Sequence, residues 1–319
     1  MLPEIHANVS LKNKNWFKTG GSARFYAEPQ TVAEFQTLIA YAQTQSLEIL
    51  LLGQGANMLI SDEGFDGLVI HPKLCDITYH KPCPDTQTIH VTAGAGVTIA
   101  QLIESCLDHN VLGLEEFSGI PGTVGGSVYI NLHYYEFLLS QFVHSAVIIN
   151  KQTNSLETVS FDWFEFGYNN SKLLQESYYL VSATFALRFA SHDEVMYARG
   201  RRTEIIRHRE RRYPYKNTCG SFFRNFYPDE VSLELHGKKM IYIAYYLDKI
   251  GIKGVLMCGN ASVSHQHANM IVTTDSATSS DVISLARQMQ QLVYTHYGII
   301  PQPECRLVGF IKYPLLNDF

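Results

Sequence analysis

The chain has 319 residues, 46% of them hydrophobic and 17% charged, with a formal net charge of -5. That length predicts two or three packed units, the composition excludes a disordered segment, and the acidic balance gives no global attraction to nucleic acid. No apolar run approaches a bilayer span and the N-terminal MLPEIHANVS lacks a signal-peptide core, so a soluble cytoplasmic protein without membrane insertion is expected.

Thr31 and Glu34 form a capping box, and Phe35, Leu38, Ile39 and Ala42 recur at helical spacing, so residues 31–45 read as an amphipathic helix. Two short apolar runs, 48–52 and 67–71, read as buried strands, and 88–93 alternates as a strand. Thr98 and Gln101 cap a second helix that presents Ile99, Leu102, Ile103 and Cys106 on one face. Residues 145–160 read as a hairpin turning at 151–155, and 179–188 as a further strand. A charged helix is expected over 192–212. It carries Arg199, Arg201, Arg202, Arg207, Arg209, Arg211 and Arg212, either a solvated face or a phosphate contact. Met240–Ile250 reads as a helix stopped by Gly251, Ser280 as the cap of a last long helix, and Glu304–Phe310 as a closing strand. The six cysteines, at 75, 83, 106, 219, 258 and 305, have neither C-x-x-C nor zinc-finger spacing and read as buried thiols of a reducing compartment.

Three glycine clusters punctuate these elements. Gly53 and Gly55 directly follow a strand, where backbone amides can approach a phosphate; Met58 stands where a dinucleotide fingerprint needs its third glycine. Gly94 and Gly96 read as a plain turn. GIPGTVGGSVYIN, Gly119–Asn131, is a dense loop whose amides can converge on an anion, without the lysine of a triphosphate site.

The segments FKTGGSARFYAEP, LLGQGANMLISDEGFDGLVI, GIPGTVGGSVYIN, GSFFRN, VSHQHANMIV and PQPECRLVG, in this order and spacing, resemble the UDP-N-acetylenolpyruvoylglucosamine reductases over nearly the whole chain. The resemblance implies an α+β architecture: a two-subdomain FAD-binding fold of the vanillyl-alcohol-oxidase/PCMH type, residues 1–72 and 73–190, plus a C-terminal α+β substrate-binding domain, 191–319. It implies non-covalent FAD, with Gly53, Gln54, Gly55, Ala56 and Asn57 along the pyrophosphate and Gly119, Gly122, Gly125 and Gly126 as the opposite wall. It further implies NADPH as hydride donor and a UDP-sugar enol ether as substrate, reduced to UDP-N-acetylmuramate for peptidoglycan by a cytoplasmic monomer. Ser221 matches the family's proton-donating serine, Glu304 its glutamate partner, and Tyr168 and Asn225 substrate contacts. Taken alone, Ser221 is a turn serine and Glu304 a strand-start residue; only the ordered combination gives them roles.

Three departures bear on activity. Tyr168-Asn169-Asn170-Ser171 stands where the family has Tyr-Arg-x-Ser, so Asn169 occupies the position of an arginine expected to hold the substrate carboxylate. Leu132, His133, Tyr134 and Tyr135 follow Asn131 where the family has small residues, and Phe226 replaces a proline. The interval from Asn169 to Ser221 fits the subgroup without the extra tyrosine-bearing loop. These differences leave two alternatives: a related FAD oxidoreductase with another substrate, or a flavin-binding homologue with impaired catalysis. His265 and His267 match a structural segment, and no metal is expected.

Overall fold

The computed structural model describes residues 3–175 and 177–317. They fall into two compact units, the first drawn from within 1–6, 25–54 and 67–209, the second from 7–24, 55–66 and 210–319. The chain therefore crosses from the first unit to the second inside the Gly53–Asn57 turn. Strands Ser22–Ala27 and Phe65–Ile70 each begin in one unit and end in the other.

In the first unit, helix α1, Val32–Thr44, starts on the expected capping box: Thr31 Oγ1 accepts from Glu34 N, and Glu34 reaches back to the cap amide. Its apolar stripe, Phe35, Leu38, Ile39 and Ala42, shares one core with Leu68, Ile70, Ile149, Tyr179 and Val181. Those last three belong to an antiparallel sheet ordered Leu156–Ser160, Val143–Asn150, Tyr178–Phe189, Thr88–Gly94, Ile77–Tyr79. Ile148, Leu180, Ala183, Phe185 and Leu187 enter another core with helix α2, Ile99–Asp108, and helix α3, Val124–Tyr129, the break in strict alternation between Leu180 and Ala183 coinciding with the register shift opposite Val147 and Ile148. The hairpin pairs Ile149 with Leu156 around the predicted turn.

Helix α4, His192–Arg212, leads out of this unit, and the phosphate alternative for its arginines meets a competing set of partners. Arg199 pairs with Glu104 and Asp108, Arg202 with Glu104, Arg201 with Glu116 and Arg207 with Glu204. Arg199 and Arg202 thereby tie the helix to α2, Arg201 ties it to Glu116, and the Arg207 pair lies within the helix itself.

In the second unit, helix α5, Ile243–Ile250, and helix α6, Ser279–Tyr297, pack with Phe222, Phe223, Leu247, Leu285, Met289 and Val293 in one core. Gly251 closes α5 in the left-handed conformation, as expected. The cap of α6 is Thr278, boxed with Asp281, and not Ser280; Asp62 also accepts from the amides of Ser279 and Ser280, a contact from distant sequence. A three-stranded sheet, Met257–Cys258, Ala261–Val263 and Ile271–Thr273, completes the unit. Strand Arg306–Val308 pairs in parallel with Met58–Ile60. The cysteine reading needs correction: Cys106, Cys219 and Cys305 are buried, whereas Cys75 and Cys83 are exposed, because each lies in an irregular segment outside the strands.

Candidate active site

Strand Ile49–Leu51 runs parallel to residues 68–70, and the ladder ends where Leu52 N donates to Ile70 O at 2.9 Å. Beyond it, the amides of Gly53, Gln54, Gly55, Ala56 and Asn57 donate to no protein acceptor among the described residues. Five consecutive backbone donors without a protein acceptor are thus left to meet a ligand or solvent. The turn demands its glycines. A Cβ on Gly53 would stand 2.7 Å from Thr123 Oγ1, and Gly55 has φ +62°, with its carbonyl accepting from Trp16 N.

The dense loop meets this turn, since Gly122 N donates to Gln54 Oε1 at 2.7 Å. It differs from expectation in how its amides are used. Gly125 N donates to Ala95 O at 2.9 Å and Gly126 N to Thr123 Oγ1 at 3.3 Å, so with Gly122 three of the four glycine amides are spent inside the protein. The loop presents a close backbone surface more than a ring of donors. The middle cluster is also more than a plain turn. Gly96 N donates to Leu74 O, Ile99 N to Gly122 O and Val124 N to Val97 O, stitching 72–74, 94–98 and 122–125 into one wall. Sequence reasoning missed this function of Gly94–Gly96, for which the only signal was a glycine pair at a strand end.

Tyr168 and Asn169 sit on a tight turn where Gly167 and Asn170 form a bridge, and Asn169 has φ 49°. Asparagine tolerates that left-handed conformation better than arginine does. Asn131 ties this turn to the end of α3, donating to Gly167 O at 2.9 Å and accepting from Ser140 N at 3.1 Å. His133 lies 5.1 Å from the Tyr168 ring, and burial holds its pKa below the usual histidine value. Lys172 does not replace the missing cation: its ammonium is 2.9 Å from Glu165 and lies over the Trp163 ring.

In the second unit, the two candidate proton-transfer residues lie on adjacent segments. Glu304 N donates to Phe222 O at 2.8 Å, Arg224 N to Gln302 O at 3.0 Å, and Phe223 and Pro303 form a bridge. Ser221 precedes Phe222, and its hydroxyl, partly exposed, makes no hydrogen bond to protein among the described residues. The thiol of Cys219 is pushed well up by burial, then by Cys305 and by the charge of Glu304. Asn57 also serves here, its side chain donating to Glu304 O at 3.3 Å and its carbonyl accepting from Arg306 N. Asn269, absent from the predicted set, clasps Phe223: Nδ2 donates to its carbonyl at 2.7 Å and Oδ1 accepts from its amide at 3.1 Å. Asn225 accepts weakly from Ile243 N at the start of α5. Among the described residues no three His, Cys, Asp or Glu side chains gather as a metal site. His267, partly buried beside Tyr213, has its pKa lowered to about 4 by burial and then by Arg212 and Lys253.

Residues 23–154 match the family described as FAD binding domain, and 212–308 match the C-terminal domain of UDP-N-acetylenolpyruvoylglucosamine reductase. A protein of that name from Synechocystis sp. is 32% identical over 96% of this chain and 91% of its own length. The chain belongs to the UDP-N-acetylenolpyruvoylglucosamine reductase family. A second relative of the same name, numbered 2, from Bacillus cereus, is 30% identical over 97% of the chain and 95% of its own. The crystal structure of the reductase from Thermus caldophilus superposes with a TM-score of 0.74, covering 97% of this chain and 100% of that one at 22% identity. The fold is thus that of the reductase family: an FAD-binding fold followed by a C-terminal α+β domain. The residues present fit FAD, because the diphosphate of a dinucleotide is an anion that the unclaimed amides of 53–57 can satisfy.

Proposed function

We propose that this chain reduces UDP-N-acetylenolpyruvoylglucosamine to UDP-N-acetylmuramate with NADPH as hydride donor, a step of peptidoglycan precursor synthesis that serves cell-wall biogenesis, cell shape and cell division. The observation that carries the reading is the pairing of the Ser221 and Glu304 segments through Phe222, in a chain of this family. FAD, when bound, supplies the relay of hydride from NADPH to the terminal carbon of the enolpyruvyl group. The chain's own residues do the rest. Gly53, Gln54, Gly55, Ala56 and Asn57 hold the diphosphate by their amides, and Gly119, Gly122, Gly125 and Gly126 let the backbone lie close on the other side. Ser221 Oγ gives its proton to the carbon next to the carboxylate as the enolate collapses, and Glu304 stabilises and reprotonates the serine. Tyr168, Asn169 and Asn225 contact the substrate.

In this reading residues 1–72 and 73–190 act as the two lobes around the flavin and 191–319 as the substrate domain, in a cytoplasmic monomer that binds no nucleic acid. No helix among the described residues is long and apolar enough to cross a membrane. The other two readings, a different substrate or lost catalysis, rested on Asn169 and the 132–135 run, and family membership over 96% of the chain now weighs against both.

The test is an NADPH-oxidation assay on purified yellow protein. Consumption of NADPH that depends on the enolpyruvyl nucleotide-sugar, with UDP-N-acetylmuramate formed in equal amount, supports the reading. NADPH consumption indifferent to that substrate, or a colourless protein that cannot be reconstituted with FAD, sinks it.

A further inference from the structure

Three histidines lie across one face of the antiparallel sheet in the first unit. Ile89, Val91 and Ala93 enter the core with α2, so His90 and Thr92 point to the other face. His80 stands opposite His90, its amide donating to the His90 carbonyl at 3.0 Å. The third, His144, reaches His90 from further away. Strands Val143–Asn150 and Thr88–Gly94 are second neighbours, with Tyr178–Phe189 between them, so their backbones run about 10 Å apart. Two local features close that gap. Val143 pairs with Phe185 and Ser145 with Thr184, so His144 is the extra residue of a β-bulge, a place where a strand bends and re-aims a side chain. On the middle strand the residue opposite His90 is Ala186, which ends at its Cβ. The rings of His90 and His144 stack with 4.2 Å between centroids and 21° between planes.

Burial holds the His90 imidazole below the usual histidine value, and the charges of His144 and then His80 lower it further. The same face carries Thr92 and Thr184, whose hydroxyls lie 2.8 Å apart, with His80 Nε2 3.1 Å from Thr92 Oγ1. It also carries Arg188, paired with Glu194 at 2.8 Å, and that carboxylate is further engaged by the amide and hydroxyl of Ser191. One imidazolium is tolerated beside a neutral ring, whereas two at this spacing repel each other. We propose that the His90–His144 stack is a proton-sensitive latch across the sheet, which stays closed with one proton and opens when it takes a second, freeing strand Val143–Asn150 at its bulge. The bulge is where the strand yields, because the ladder is already interrupted there and the exposed His144 ring can swing into solvent. His80, His90 and His144 lie outside the 53–57 and 119–126 segments and outside those of Ser221 and Glu304, so the latch does not rest on the proposed reaction.

The direction of the pH effect follows from linkage. Above about pH 6.5, the ordinary histidine value, His90 is neutral in the folded and the unfolded chain alike and adds no pH dependence. As the pH falls below that value the unfolded chain binds a proton that folded His90 resists, so stability is lost until the pH has passed the lower folded value.

The experiment follows the histidine rings of the full-length, FAD-loaded protein by NMR as the pH is lowered, the His90 signal being the one lost in His90→Gln. His144→Gln should raise the His90 midpoint by roughly half to one pH unit, and His80→Gln by less. Urea unfolding on either side of the transition, near pH 7.5 and near pH 5, gives the second readout. Over that interval the unfolding constant of wild-type protein should rise roughly three- to tenfold more than that of His144→Gln, the same half to one unit expressed through linkage. His144→Phe keeps a ring against His90 without the charge; it should share the weaker pH dependence of His144→Gln while staying closer to wild-type stability near neutral pH. An unmoved His90 midpoint in His144→Gln overturns the proposal, as does a loss of stability in that variant that is equal at both pH values. Wild-type pH dependence in His144→Phe overturns it too, since the charge would then be idle. FAD affinity near neutral pH should match wild type in each variant, and weaker binding there would tie these rings to the ligand and remove the latch.

Discussion

The first glycine turn and the dense glycine loop lie against each other, yet they use the same residue type for opposite ends. At 53–57 five successive amides find no protein acceptor among the described residues, so this turn keeps its donors open. At 119–126 three glycine amides are already committed, and the absence of side chains serves to let backbone segments pack closely. Glycine density therefore does not measure anion-binding capacity. What counts is where each N–H goes, and the sparser cluster is the better donor.

The comparison can be broken or sharpened by substitution. Ser221→Ala leaves both turns intact and so separates holding the flavin from using it. FAD should remain bound and be reduced by NADPH at the wild-type rate, while stopped-flow reoxidation by substrate slows on the order of 10² to 10⁴-fold. Equal loss in both half-reactions would show that the serine has another role. Gly53→Ala strikes the donating turn at its tightest point, 2.7 Å from Thr123 Oγ1. FAD binding should weaken by roughly ten- to hundredfold, in line with an overpacking cost of about 1–3 kcal/mol. Adding Thr123→Ala should recover part of it, and a double variant as poor as the single one would point to a cause other than this contact.

A smaller effect is expected from Gln54→Ala, which removes the acceptor of Gly122 N. Losing about 1 kcal/mol at that junction corresponds to about fivefold in FAD affinity, and fluorescence titration would show it. No change would mean that the two turns hold position independently. Gly126→Ala should have the least effect on the apoprotein. The nearest atom to its new Cβ is Thr123 Oγ1 at an ordinary 3.7 Å, and alanine favours a helix by about 0.5–1 kcal/mol over glycine. The apoprotein melting temperature should hold or rise slightly. A fall in FAD affinity against that background would locate the ligand on the surface that Gly126 leaves open; equal affinity would remove this glycine from the site.

Local signals were read well where local chemistry decides. The Thr31–Glu34 and Thr98–Gln101 boxes, the Gly251 cap and the 145–160 hairpin all appear where their residues place them, since each needs only neighbours within a turn or two. The cap of α6 was misplaced by two residues, because Ser280 is bound by Asp62, which lies far away in sequence. Asn269 escaped notice for the same reason: an asparagine in VSHQHANMIV carries no sign that its amide clasps Phe223. The division of the chain into units was equally hidden. Strands Ser22–Ala27 and Phe65–Ile70 start in one unit and finish in the other, and hydrophobic periodicity continues through the crossing unchanged.

By itself the sequence determined helices α1, α2, α4, α5 and α6, the reductase family, and the order of the Ser221, Glu304 and glycine segments, because order and spacing of motifs survive in one dimension; helix α3, inside what reads as the dense loop, and the three-stranded sheet were not legible. Tertiary structure alone decided which glycine amides stay open, that Lys172 is tied to Glu165, and that Arg209 is held on Tyr134 above Gly119. A hydrogen bond or an ion pair is a choice between partners that only folding brings within 3 Å or so of each other, and residue type cannot say which partner wins.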